Sequence, residues 1–67
     1  MIALSINGEG RRFDAPLTCM QLLDVLELAG KRVALEKNGE IVPRSRFGEE
    51  MVADGDKLEI VVAVGGG

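Results

Sequence analysis

The 67 residues fit one small domain. A chain this short buries only about 60% of the surface its unfolded form exposes, which leaves no mass for an enclosed active site. With no His and a single Cys, it has no Ser–His–Asp or Cys–His pair, no His-ligated metal, no internal disulfide and no cysteine-based zinc site. Eleven acids against eight bases give a net charge of −3, and Phe13 and Phe47 are the only aromatics, so the composition offers nucleic acid neither a basic face nor a stacking platform.

In chain order, Ile2, Leu4 and Ile6 alternate with Ala3 and Ser5, the pattern of a half-buried strand. Asn7-Gly8-Glu9-Gly10 is a tight turn, because Asn-Gly supplies positive φ angles. Arg11 to Asp14 is a second short strand with Phe13 inward, broken by Ala15-Pro16. Thr18-Cys19-Met20-Gln21 has the form of a capping box, and Leu22, Leu23, Leu26 and Val25 follow at helical spacing. Gly30 stands where a helix C-cap belongs, followed by Lys31 and Arg32, so the helix is predicted over about residues 19–29.

Val33 to Lys37 is a third strand, Asn38-Gly39 a second hairpin turn and Glu40-Ile41-Val42 the returning strand, ended by Pro43. Residues 44–56 are irregular, with Met51 and Val52 as anchors; Met20 is also a core candidate. Asp54-Gly55-Asp56 is a turn into the last strand, where Leu58, Ile60, Val62 and Val64 share one face. Apolar Val61 and Ala63 on the other face predict a central strand covered on both sides. All the excess acid falls within residues 34–67, which fits either a basic protein partner or a solvated face.

The order β-β-α-β-β-β, with the apolar first and last strands paired in parallel at the centre and the helix across one face, is an α+β β-grasp (ubiquitin-like) fold with a mixed sheet. We expect one such domain over residues 1–64 and a flexible glycine tail at 65–67. Alternation at the start in place of a basic-then-apolar leader, the free thiol and apolar runs far too short to cross a bilayer predict a cytoplasmic protein, free of membranes. Gly65, Gly66 and Gly67 have no side chains, adopt nearly any φ/ψ and reach roughly 10 Å when extended. Such a tail suits insertion into a partner's narrow channel, where ordering it costs roughly 3–6 kcal/mol, tolerable for an encounter that reacts and releases.

Four features together resemble the ThiS family, the sulfur carriers of thiamin thiazole biosynthesis. They are the first strand with Asn7-Gly8, the helix with Leu22-Leu23, the block Ala34-Leu35-Glu36-Lys37-Asn38-Gly39-Glu40-Ile41-Val42-Pro43-Arg44-Ser45, and Asp54-Gly55-Asp56 leading to the Gly-Gly end. Phe47 stands where the family often carries Trp. The resemblance implies a carrier rather than an enzyme, monomeric when free. Its Gly67 carboxylate would be adenylated by a ThiF-like enzyme that itself holds ATP and magnesium. A cysteine desulfurase-derived donor would then convert it to a thiocarboxylate, which passes sulfur to a ThiG-like thiazole synthase. No cofactor would be bound by this chain. The small sulfur-carrying subunit of molybdopterin synthase and a ubiquitin-like protein modifier are the alternatives. Arg44 and Arg46 are either partner contacts or solvated charges. Cys19 is a small buried residue before it is a sulfur relay.

Overall fold

The computed structural model describes residues 1–63. Strand β1 (Ile2–Ile6) turns at Asn7-Gly8 into β2 (Glu9–Phe13), with φ of 51° and 85° at the two turn residues. A two-residue strand, β3 (Leu17–Thr18), leads into helix α1 (Cys19–Val25). Then come β4 (Val33–Lys37), β5 (Glu40–Ile41), a 3-10 turn at Arg44–Arg46, β6 (Met51–Val52) and β7 (Lys57–Val62). The main sheet runs β2-β1-β7-β4-β5, and β3 pairs with β6 in a second, two-stranded sheet. As predicted, β1 and β7 lie parallel at the centre, while β7 pairs antiparallel with β4.

The core is a single cluster. Ile2, Leu4 and Ile6 of β1, Leu35 of β4 and Leu58 and Ile60 of β7 face Leu22 and Leu23 of the helix. Cys19, Val52 and Phe47 close the end nearest the 3-10 turn. Phe47 is 2% exposed, so it serves as the expected aromatic anchor. The capping box forms as read: the Gln21 N–H donates to the Thr18 hydroxyl at 3.1 Å, and the Thr18 N–H donates to the Gln21 side-chain oxygen at 2.8 Å.

Four expectations are corrected. The helix stops at Val25, not near residue 29. The Leu28 N–H bonds the Leu23 carbonyl (2.8 Å) and the Glu27 N–H bonds that of Asp24 (3.0 Å), closing a Schellman motif with Glu27 at φ 62°. Gly30 is therefore not the cap; its φ of 83° serves the next turn, where the Lys31 N–H bonds the Leu28 carbonyl. Val25, Met20 and Met51 are exposed, because the helix turns Cys19, Leu22 and Leu23 inward and β6 turns Val52 inward. Strand β7 is central but covered on one face only: Val61 is 64% exposed and Ala63 is exposed too. Finally, β3 and β6 were missed, because strands of two residues carry no alternation to read.

Candidate functional site

The resemblance places the chemistry beyond β7, so the site is built around that strand's exit. Gly65, Gly66 and Gly67 lie outside the described residues, as does Val64. What the fold controls is the path of the chain up to Ala63.

Both ends of β7 are fixed by hydrogen bonds that reach beyond its ladders. At its start, the Asp54 carboxylate accepts the Ala3 N–H at 2.7 Å, and the Gly55 N–H bonds the Ala3 carbonyl at 2.8 Å. Asp56 accepts the Ala53 N–H at 2.8 Å and the Asn38 amide at 3.0 Å. In its second half, the Asn7 side chain spans both backbone groups of Ile60, two residues before the strand's end: Oδ1 accepts its N–H at 2.7 Å and Nδ2 donates to its carbonyl at 3.0 Å. On the opposite side, the Ala63 N–H bonds the Arg32 carbonyl at 2.8 Å. Sequence reading took both Asn-Gly pairs as turns and missed their side-chain work. The signal was an asparagine in preference to a second glycine at a positive-φ position.

A groove of about 350 Å³ opens beside this exit, with Ile6, Leu26, Leu28 and Val62 as its apolar lining and Glu9 and Arg11 at its polar side. The open face of the sheet carries Ala34 opposite Val61 and Glu36 opposite Glu59, all exposed. Part of the acid excess is structural: Asp54 and Asp56 hold backbone amides, and Glu50 pairs with Lys37 at 2.6 Å. Its hydrogen bond to the Lys37 ammonium, and then the charge of that group, hold the Glu50 carboxyl below the usual carboxylate range. The same bond raises Lys37, whose ammonium also donates to the Met51 carbonyl at 3.0 Å. Arg46 reaches the same carboxylate at 3.5 Å, while Arg44 is exposed. Burial pushes the Cys19 thiol up, with the Glu50 charge adding to it, so Cys19 stays protonated within the core. Among the described residues, no helix is long and apolar enough to cross a membrane.

The parallel β1–β7 centre and helix α1 on one face of the sheet define a β-grasp domain, whose described residues end just after β7. The crystal structure of a thiamine biosynthesis protein (ThiS) from Geobacter metallireducens matches with a TM-score of 0.84 and 35% identity, over 98% of this chain and 100% of that one. The profile of the ThiS family matches residues 4–67. A sulfur carrier protein ThiS from Bacillus subtilis is 37% identical over 96% of this chain and 98% of its own length. A thiazole synthase from Paramagnetospirillum magneticum is 52% identical over 96% of this chain, which spans only 20% of that protein's length. The chain belongs to the ThiS family.

Proposed function

We propose that this chain is a covalent sulfur carrier whose reacting group is the Gly67 carboxylate. The observation that carries the reading is the family match, which runs from the first strand through Gly67. A carboxylate is a poor electrophile. Attack of its oxygen on the α-phosphorus of ATP, with pyrophosphate leaving, turns it into an acyl adenylate on a ThiF-like enzyme. A persulfide on a cysteine desulfurase-derived donor then forms the C–S bond as AMP departs, and a thiol attacks the resulting acyl disulfide, releasing the thiocarboxylate and leaving the donor sulfur in a disulfide. The resulting thiocarboxylate is nucleophilic without being free sulfide. The matches to two proteins named thiazole synthase, each over 96% of this chain, support thiazole synthase as the acceptor. They also favour the thiazole branch over the molybdopterin one.

The absence of His, and the protonated state of Cys19, fit this division of labour: activation and sulfur supply fall to partners. Gly65 and Gly66 would pass a channel too narrow for side chains. Deleting Gly67 tests the assignment. The truncated protein is expected to lose ATP-dependent pyrophosphate release with the adenylating enzyme and to keep its melting curve, since the last core residue described is Ile60. Retained pyrophosphate release would refute Gly67 as the reacting residue.

A further inference from the structure

We propose that Asn7 is a positioning residue for the transfer chemistry: its side-chain amide holds β7 at Ile60, two residues before the strand's end, and so aims the terminus that follows. The proposal rests on the carrier reading above and concerns a residue that touches no reacting atom.

Strand β1 pairs with β7 only at Ser5↔Lys57 and Ile6↔Leu58, and then its main chain leaves through the Asn7-Gly8 turn toward β2. Strand β7 runs on to Val62. Hydrogen bonding on the β1 side reaches Leu58, whose carbonyl accepts the Asn7 N–H at 2.9 Å. The next β7 residue facing that way is Ile60, and what meets it is the Asn7 side chain, donor and acceptor together. The planar amide thus takes the place of the strand residue that the turn removed. A carboxylate offers two acceptors and no donor, an apolar side chain offers neither, and a hydroxyl has a single atom for both roles, whereas the amide meets both groups of Ile60 with a donor and an acceptor on separate atoms. Closing the hairpin does not require these bonds, since two glycines supply the same positive φ angles.

The second Asn-Gly turn provides an internal control. Asn38 has φ 54°, close to the 51° of Asn7. Its Oδ1 accepts the Lys57 N–H at 2.9 Å, its own N–H bonds the Lys57 carbonyl at 2.7 Å, and its Nδ2 bonds Asp56 at 3.0 Å. It therefore does comparable work at the opposite end of β7. Removing either amide loosens the fold; removing that of Asn7 also loosens the exit. Misplacement of a reacting group by about 1 Å can cost roughly a hundredfold in rate.

The test compares Asn7→Gly with Asn38→Gly, both of which keep the positive φ, using the full chain as the varied substrate of its ATP-dependent adenylating enzyme. Asn7→Gly is expected to lower kcat for pyrophosphate release roughly tenfold with KM changed less than about twofold. Asn38→Gly is expected to keep both constants at a similar loss of melting temperature. The Ala63 amide should exchange with solvent roughly tenfold faster in Asn7→Gly and at the wild-type rate in Asn38→Gly. Should Asn7→Gly not fold, Asn7→Asp, which keeps the acceptor for Ile60 and loses the donor, replaces it. Equal kinetic losses in the two variants, a loss in KM alone, or unchanged exchange at Ala63 would overturn the proposal. An active wild type with a fully active Asn7→Gly would overturn it alone; an inactive wild type would overturn the carrier reading as well.

Discussion

Glu27 holds a left-handed φ of 62° at the position that ends the helix, where glycine is the usual occupant. An L-residue there carries a steric cost of roughly 1–2 kcal/mol, partly offset by the greater chain entropy that glycine loses on folding. Glu27→Gly is therefore expected to stabilise by roughly 0.5 kcal/mol, read as a higher urea midpoint with an unchanged slope. Glu50 yields a pH prediction. Its folded pKa is depressed below the ordinary 4.5, so its contribution is present above that value and is lost as pH falls through the folded one. Lys37 has the opposite sign: raised above 10.5, it contributes fully below that value and less as pH rises past the folded one. Wild type should melt above Glu50→Gln at pH 7, and the two curves should converge as pH falls below the ordinary carboxylate value. A constant gap across that range would remove the ion pair from the account.

The elements differ in how much the sequence discloses. Strands β1, β4 and β7 were legible because their apolar residues alternate over five or six positions, and the start of the helix because Thr18 and Gln21 form a reciprocal pair. Its end was not. The expectation followed Gly30, whereas the chain turns at Glu27 so that Leu28 can pack against the core, a tertiary demand that overrides local preference. The exposed Val61 misled for a similar reason: an apolar residue on a strand reads as buried until the layer that would cover it is known to be absent. Leu58, fully buried on the central strand, is the element-scale test. Leu58→Ala should cost about 2–5 kcal/mol, a large share of the roughly 5–15 kcal/mol of a typical domain, and should lower the thermal midpoint steeply. A shift no larger than that of an exposed substitution would contradict the placement of β7 at the centre.

For the molecule as a whole, the candidate site was half legible. Gly65, Gly66 and Gly67 were conspicuous in the sequence, and they lie outside the described residues. The support of the exit was invisible, because it depends on Asn7 meeting Ile60 across 53 residues of sequence. The acidic second half also divides by role: Asp54, Asp56 and Glu50 bind the fold together, which leaves Glu36, Glu40, Glu49 and Glu59 exposed, with Glu36 and Glu59 side by side on the open sheet face. The central claim is that Gly67 carries sulfur. Its most direct test is the intact mass of the protein after incubation with ATP, the adenylating enzyme and a sulfur donor. A mass gain equal to one sulfur replacing one oxygen, confined by fragmentation to Gly67, is the predicted result. An unchanged mass under conditions in which the enzyme adenylates a known carrier would contradict it.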